Sequence, residues 1–481
     1  MNKLIPFIFP FKSRKCAYIY DVNTNTIVSV NELVYNFLKE NSSFKLDEIN
    51  DIDIKKFICK MIDDGFLSSK RVVTIEHPKT NYVSHMLKNQ LKTLTLQVTQ
   101  QCNLRCSYCV YSGEYKNRTH NSKNMSFDTA KKAIDFLIEN SSDSRCLSFS
   151  FYGGEPLLNF DLIKKCVDYI EKNVHGREKT YHMTTNGTLL TKEIFDFLEE
   201  HGFAIMVSLD GNKESHDKNR VFTNGKGTFD VIIHNLKFLK ENYPKLMKTL
   251  NFNVVMDSYN KFKDIDEFYS TFDAVEEFYS IKSSFISDSY RDGDLDISED
   301  FIATRNYEIF KLLASKVGRV SEKNISKLVK DYYVQLYFNM FKLRKFSNLL
   351  PEKAHHGGPC VPGVQRFFVN VDGNFFPCER VSEESELVNI GNIVYGFNVE
   401  KVIKILNVGQ LTDSECRNCW NFRFCNLCIV TADNLTKLSK DEKLRNCRIA
   451  KQSSIIQLLD YCTLHELGHD FTATDFVDYR L

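Results

Sequence analysis

The sequence predicts an α/β protein whose centre is a partial TIM-type barrel of six strand–helix units. Between residues 90 and 300, short apolar β-prone runs alternate with amphipathic helical segments, as in a parallel sheet or barrel. A small module of hairpin and helices precedes this region, and a segment crowded with cysteines follows it. Because 481 residues exceed what one ordinary core accommodates, we expect separate parts at 1–80, 90–300, 301–350 and 351–481.

The composition is that of a soluble globular chain with balanced charge. The 63 basic and 62 acidic side chains give a net charge of +1, so no global field attracts nucleic acid or an anionic membrane. No apolar run reaches the length of a membrane span, and the apolar stretch at 4–11 lacks a signal-peptide cleavage site. The clustering of the 15 cysteines therefore favours metal ligation over disulfides. We expect a cytoplasmic protein that binds neither nucleic acid nor membrane.

The N-terminal part predicts a winged-helix-like module. Two β-prone runs at 16–22 and 26–30 flank a turn, and Asn31 is placed to cap the helix that follows. A second helix at 52–64 ends at Gly65, and residues 72–75 are predicted to form a further strand that serves as a wing.

The barrel strands are predicted at 94–99, 147–152, 180–185, 204–209, 250–256 and 275–281. Ser126 and Thr191 are placed to cap two of the intervening helices, and Gly202 ends the second of them. Residues 301–350 are predicted to be a helical connector. In such a barrel the chemistry lies at the carboxyl ends of the strands.

Three cysteines directly follow the first predicted barrel strand. Cys102, Cys106 and Cys109 have the spacing C-x3-C-x2-C, which places three thiolates on one loop at the open end of the barrel. A cubane iron–sulfur cluster normally takes four cysteines, so this loop leaves one coordination position for another group. In a zinc site the same open position suits a catalytic water.

Short polar or glycine-rich segments follow the next three strands. They are Gly153, Gly154, Glu155 and Pro156; then Thr185 and Asn186; then Ser208 and Asp210, with Arg220 shortly after. Each segment alone is ordinary turn chemistry. Their succession at the ends of consecutive strands, behind the cysteine loop, indicates a single site.

The loop, with Tyr108 just before its last cysteine, and these three segments resemble the radical S-adenosylmethionine (SAM) superfamily. The resemblance implies a 4Fe-4S cluster on Cys102, Cys106 and Cys109 whose fourth iron binds SAM. It also implies that Tyr108 and the residues of the three segments bind SAM. Reductive cleavage of SAM would then give a 5′-deoxyadenosyl radical that takes a hydrogen atom from a substrate.

The cysteines of the last part resemble the SPASM extension of peptide-modifying radical SAM enzymes, which carries two auxiliary 4Fe-4S clusters. The resemblance implies one cluster on Cys360, Cys378 and Cys428, and another on Cys416, Cys419, Cys425 and Cys447. Only two residues separate Cys425 from Cys428, where the family usually has three. The first cluster would have an open iron for a substrate thiolate. A pair of zinc ribbons is the alternative. We expect metal, more than apolar packing, to hold this part together.

The N-terminal module resembles the peptide-recognition element of enzymes that modify ribosomally made peptides. The chain is therefore predicted to be a maturase that forms thioether bonds in a Cys-containing precursor peptide, with a flavodoxin- or ferredoxin-type electron donor. A DNA-binding role is disfavoured because residues 31–41 carry only one cation, Lys39.

Two alternatives stay open. One is an enzyme of the sulfatase-maturing type, which oxidises Cys or Ser to formylglycine. Members of that branch have an Asp just after the cysteine matched by Cys378, where this chain has Glu379 as its predicted catalytic acid. The other is a non-catalytic, metal-bound scaffold that recruits peptide.

Overall fold

The computed structural model describes residues 3–113, 115, 118–272, 280–291, 295–347, 349–358 and 360–473. Its N-terminal part holds an antiparallel sheet of three strands: β1 (Ile8–Lys12), β2 (Ala17–Asp21) and β3 (Thr26–Val30). The predicted hairpin is confirmed, whereas β1, which contains Pro10, was not predicted. Helices α1 (Glu32–Glu40) and α2 (Ile52–Asp63) follow. Asn31 caps α1, as expected, by accepting a hydrogen bond from the Val34 amide at 2.8 Å.

The two faces of this small sheet belong to two different cores. Ala17 and Ile19 pack with α1 and α2 in a local core, while Tyr18 and Tyr20 belong to the main core of the protein. Because side chains alternate along a strand, one sheet can serve both cores. The N-terminal module is therefore packed into the body of the chain along one whole face.

The predicted wing is wrong. Strand β4 (Thr74–Ile75) does not join the hairpin and pairs in parallel with Lys353–Ala354 of the C-terminal part. The amides of Val73 and Thr74 donate to the Glu352 carbonyl, so the backbone groups of this segment are satisfied by a distant part of the chain.

Helix α3 (Val83–Asn89) leads into six strands that lie side by side in chain order, all parallel. They are β5 (Thr93–Thr99), β6 (Cys146–Gly153), β7 (Glu178–Thr185), β8 (Ala204–Ser208), β9 (Asn251–Met256) and β10 (Ser280–Phe285). The first five match the predicted strands closely. The sixth was predicted at 275–281, of which 273–279 lie outside the described residues.

Helices separate these strands as the sequence predicts. They are α4 (Phe127–Glu139), α5 (Phe160–Asn173), α6 (Lys192–Glu200), α7 (Lys213–Asp217), α8 (Phe229–Asn242), α9 (Pro244–Met247) and α10 (Phe262–Thr271). Ser126 and Thr191 cap α4 and α6 through their hydroxyls, as expected. The connector is helical, with α11 (Glu299–Lys316) and α12 (Lys330–Leu336) running into a π-helical turn at Tyr337–Lys342.

The C-terminal part extends the same sheet. Its strands are β11 (Lys353–Ala354), β12 (Phe367–Val369), β13 (Asn374–Phe376), β14 (Gly391–Asn392) and β15 (Gly396–Phe397). Strand β12 pairs in parallel with β5, and β13 to β15 continue from it in antiparallel order, so ten strands form one sheet.

The C-terminal part contains an apolar core, although the sequence led us to expect metal more than apolar packing there. Phe367, Phe375 and Phe397 pack against one another and against Phe136 of α4, with ring centroids 4.6–5.7 Å apart. Such aromatic packing supplies an apolar core of its own. The remaining helices are α13 (Val399–Leu406), α14 (Asp413–Arg417), α15 (Lys440–Arg445) and α16 (Cys447–Glu466). Within the described ranges, no helix has the length and hydropathy to cross a bilayer.

Candidate active site and cysteine groups

The cysteine loop lies at the carboxyl end of β5 and is held by the segment that follows α7. The Arg105 amide donates to the Val221 carbonyl at 2.8 Å, and the Ser107 amide donates to the Asn219 carbonyl at 3.1 Å. These backbone bonds fix the loop without using its thiols. The thiols therefore stay available as ligands.

Burial is the main influence on the pKa values of Cys102 and Cys106. It raises the pKa of Cys102 to about 12 and that of Cys106 to about 11, and the positive charge of Arg220 opposes the second shift. Three thiols that influence one another on one short loop are a donor set for a thiolate-bound cluster. Binding of such a cluster must displace the thiol protons. The residues present fit that group.

The glycines after β6 let the chain pass against the cysteine loop. A Cβ atom on Gly153 would lie 2.1 Å from the Thr99 carbonyl oxygen, and one on Gly154 would lie 2.1 Å from the Gln101 carbonyl oxygen. Only glycine fits such close backbone contacts. These two residues therefore position the base of the loop.

Glu155 joins the first and second of these segments, its own and that of Thr185 and Asn186. Its fully buried carboxylate accepts hydrogen bonds from the Thr185 hydroxyl (2.7 Å), the Asn186 amide (2.7 Å) and the Leu157 amide (3.1 Å). A carboxylate has about four acceptor positions, so about one remains for an external donor such as an ammonium group. Burial raises the pKa of this carboxyl from 4.5 to about 7, against the effect of the three donors. Pro156 is buried in the 3-10 turn that follows.

The second segment also contacts the cysteine loop. The Asn186 side-chain amide donates to Asn103 Oδ1 at 2.9 Å, and Asn103 Nδ2 donates to Thr188 Oγ1 at the same distance. Ser208, at the end of β8, is buried. The first two segments that the sequence singled out are thus brought together with the cysteine loop at one edge of the sheet.

Asp210 and Arg220 are buried beside Cys106 and form a triad with the half-buried Tyr108. Arg220 Nε donates to Asp210 Oδ2 at 2.8 Å, and the Tyr108 hydroxyl donates to the same oxygen. The second oxygen of Asp210 accepts from the Val255 amide at 3.0 Å. The guanidinium lies 5.3 Å from the centre of the Tyr108 ring. The triad ties the aromatic residue of the loop to the end of β8.

A cavity of about 300 Å³ opens beside this triad at the ends of β9 and β10. Ser107 and Tyr108 of the loop form one wall, and Asn219 and Asp257 form another. Asn219 Nδ2 donates to Asp257 Oδ2 at 3.1 Å. Sequence analysis missed Asn219 and Asp257, although Asp257 directly follows a predicted strand. Its position there was the available signal.

A second buried polar group lies between the cysteine loop and the C-terminal part. Gln97 Nε2 donates to Glu383 Oε1 at 2.7 Å, and the Tyr111 hydroxyl donates to the same oxygen at 3.2 Å. Arg118 pairs with Glu383, with Nε 3.5 Å from Oε1. Arg118 Nη2 also donates to the Glu379 carbonyl at 2.9 Å. The sequence gives no signal that Glu383 is buried, because it lies in an acidic run.

Glu379, the predicted catalytic acid, has a different environment. Its carboxylate accepts a hydrogen bond from Arg366 Nη1 at 2.7 Å, and its side chain keeps 24% of its exposure. The acid that contacts the tyrosine of the loop region is Glu383. A catalytic role for Glu379 stays a prediction.

Several of the C-terminal thiols lie close enough to influence one another electrostatically. Cys428 is influenced by Cys360 and itself influences Cys378, whereas Cys416 influences Cys419, Cys425 and Cys447. The assignment of these thiols to two clusters stays a prediction. Across the described ranges, no three His, Cys, Asp or Glu side chains converge closely enough to hold a single metal ion. Burial raises the pKa of Cys378 and of Cys425 to about 11.

Comparison with known families identifies the barrel. Residues 96–272 match the model of the radical SAM superfamily. The uncharacterized protein MJ0907 of Methanocaldococcus jannaschii is 34% identical over 257 residues, which are 51% of this chain and 79% of that protein. The cysteine-type anaerobic sulfatase-maturating enzyme of Clostridium novyi is 26% identical over 353 residues, covering 70% of this chain and 86% of that enzyme.

A solved structure shares the fold. Native anSMEcpe with bound AdoMet and Cp18Cys peptide superposes with a TM-score of 0.56 at 21% identity. The match covers 77% of this chain and 99% of that chain. At this identity the likeness shows the fold alone.

Proposed function

Because the chain belongs to the radical SAM superfamily, we propose that it is a maturase that installs thioether cross-links in a Cys-containing peptide. The observation that carries the proposal is the hydrogen bond from Arg118 to the Glu379 carbonyl, next to Cys378. It joins the segment after the SAM-binding loop to the segment that would hold the first auxiliary cluster. A substrate thiolate and the carbon that loses a hydrogen atom can then be held close together.

The residues of the barrel mouth have distinct proposed roles. Cys102, Cys106 and Cys109 hold the cluster, and Glu155 offers its remaining acceptor position to the SAM ammonium group. When bound, the cluster and SAM supply a radical that takes a hydrogen atom from the substrate. Tyr108 lines the cavity beside the loop, and Gln97, Tyr111 and Glu383 present buried polar groups on the side of the C-terminal part.

We assign two auxiliary 4Fe-4S clusters to the two C-terminal cysteine sets, which gives three clusters per chain. The first set has three cysteines, so one of its irons is left for the substrate thiolate. A flavodoxin- or ferredoxin-type protein in the cytoplasm would deliver the electron.

The precursor peptide is proposed to bind the N-terminal sheet by adding a strand to it. Of the two outer strands, β1 contains Pro10, which cannot donate a backbone hydrogen bond. Strand β3 has neither proline nor glycine, and across the described ranges no strand pairs with its outer edge. Strand β3 is therefore the edge that can accept a leader segment.

The direct test is mass spectrometry of a precursor peptide after anaerobic reaction with the reconstituted enzyme. A small Cys-rich reading frame beside the gene would supply the peptide. A thioether removes two hydrogen atoms from the peptide and protects that cysteine from alkylation. The enzyme with alanine at Cys102, Cys106 and Cys109 is the control and should leave the peptide unchanged.

Oxidation of a cysteine to formylglycine is the second candidate, and the likeness to sulfatase-maturating enzymes favours it. Its product carries an aldehyde, which a hydrazide probe detects, and it has lost the cysteine sulfur. An aldehyde in place of a cross-link would replace our proposal with this one. A chain that cleaves no SAM at all would be a peptide-recruiting scaffold.

A further inference from the structure

A buried lysine lies against the second cysteine set. Lys443 of α15 is 1% exposed, and its Nζ donates to Thr412 Oγ1 at 2.8 Å and lies 4.0 Å from Cys416 Sγ. Thr412 is fully buried, and its Oγ1 lies 3.1 Å from the same sulfur. The lysine, the threonine and the cysteine thus form one short chain of polar contacts.

The charge of Lys443 has no carboxylate partner within ion-pair distance in the part of the chain that the structure describes. A buried ammonium group is costly unless a negative charge compensates it. As a ligand of the proposed cluster, Cys416 would present its sulfur to this charge at 4.0 Å.

The direction of the hydrogen bonds follows from the donors. A lysine ammonium group only donates, so Thr412 Oγ1 must accept from it. The threonine proton then has two acceptors within reach, the Cys416 sulfur at 3.1 Å and the Gly409 carbonyl at 3.4 Å, and the bond to the sulfur would strengthen when that sulfur is a cluster ligand. The positive charge polarises the hydroxyl toward the sulfur.

We propose that Lys443, acting through Thr412, raises the reduction potential of the iron–sulfur cluster held by Cys416, Cys419, Cys425 and Cys447. The inference rests on the proposed presence of a cluster at this set. One electron from an external donor adds one negative charge to the cluster, with no bond formed or broken. A fixed positive charge and a hydrogen bond at a ligand sulfur both favour the reduced form.

Other charges also lie near the set. Lys440 pairs with Glu415 at 2.6 Å, and Lys451 acts on Cys419 and Cys447. Lys443 is a positioning residue in this scheme, since it acts on the cluster through Thr412 and Cys416.

The test measures midpoint potentials by dithionite titration with mediators and electron paramagnetic resonance. The background carries alanine at Cys102, Cys106 and Cys109, so that auxiliary clusters alone give signals. Lys443→Met should make one of the two reduction steps at least about tenfold less favourable, a shift of about 59 mV to more negative potential. Lys443→Arg should retain most of the potential, because the charge is kept. The exposed Lys437→Met is the matched control and should change neither step.

Thr412→Val provides a second variant that keeps the charge and removes the relaying hydroxyl. It should lower the midpoint potential of the same reduction step by a smaller amount. If Lys443→Met does not fold, Thr412→Val alone tests the inference. If the variants retain all their iron and the equilibrium constants of both reduction steps stay within about threefold of those in the background protein, the inference is overturned. A background protein with iron for only one cluster would instead overturn the proposed second auxiliary cluster.

Discussion

Arg220 Nε lies 2.8 Å from Asp210 Oδ2, and both side chains are buried beside the cysteine loop. The Tyr108 hydroxyl and the Val255 amide also donate to Asp210, so the pair is part of a larger hydrogen-bond network. Removal of one partner leaves a buried charge that water cannot reach.

Single variants of this pair should therefore be costly. We expect Arg220→Met and Asp210→Asn each to lower the free energy of unfolding by about 3–5 kcal/mol, and the double variant to lose less than the sum. Urea unfolding followed by circular dichroism measures this. Lys192→Met, which breaks the exposed pair with Asp196, should cost less than about 1 kcal/mol. Strict additivity of the two buried variants would contradict the assignment.

Gly154→Ala should displace the cysteine loop, because the added methyl group would lie 2.1 Å from the Gln101 carbonyl oxygen. We expect the variant to fold with reduced stability and to lose the roughly four irons of the loop cluster after reconstitution. Iron analysis and thermal unfolding measure both effects. Gly176→Ala, where nothing lies within 4 Å of the new atom, should keep its full iron content. Full occupancy in Gly154→Ala would argue against this role.

The stability of the metal-free protein should depend on pH through Glu155. Burial raises its pKa from 4.5 to about 7, so the folded chain holds a proton that the unfolded chain releases in this interval. The stabilisation is full below pH 4.5 and is lost as the pH rises through about 7. Relative to Glu155→Gln, the wild-type protein should lose about 3 kcal/mol between these limits. Parallel stability curves of the two proteins would exclude the shift.

The three cysteine sets predict the metal content. Anaerobic reconstitution should give about twelve irons and twelve sulfides per chain, and alanine at Cys102, Cys106 and Cys109 should leave about eight of each. The triple variant should form no 5′-deoxyadenosine from SAM, since the cluster that binds SAM is lost. Zinc in place of iron and sulfide at the C-terminal cysteines would refute the auxiliary clusters.

Phe9 and Trp420 should report on the attachment of the N-terminal module. Their rings stack with centroids 3.9 Å apart, and Trp420 is the single tryptophan of the chain. Phe9→Ala should shift the tryptophan emission of the metal-free protein to longer wavelength and cost about 1–3 kcal/mol. Deletion of 1–80 should be far more damaging, because it uncovers the main-core face that carries Tyr18 and Tyr20. A well-folded deletion variant would show that the module is separable.

Much of the barrel could be predicted from local signals. Alternating apolar residues located the strands, and Ser126 and Thr191 marked helix starts because a cap is a property of neighbouring residues. The motif residues Glu155 and Thr185 were singled out because they end strands. The sequence did not indicate which strands that are distant along the chain pair with each other. Nothing local to Thr74–Ile75 indicates that its partner is Lys353–Ala354.

The burial of charged side chains was the other feature that the sequence did not predict. Glu383 and Lys443 both lie in strongly charged stretches that are typical of exposed surface. Their burial depends on distant partners, Arg118 for the first and Thr412 for the second. Such environments are set by tertiary packing, so the residue type alone predicts the wrong exposure.

The pairing of β12 with β5 has a consequence for how the chain is made. During synthesis, β5 leaves the ribosome long before Phe367–Val369 exists, so the strand that carries the cysteine loop waits with one edge unpaired. An open edge is a site for association with other chains, and pairing between such distant segments is slow. The sheet beside β5 is therefore completed only after the C-terminal part has been synthesised. Chaperone binding in this interval would protect both the sheet edge and the bare thiols.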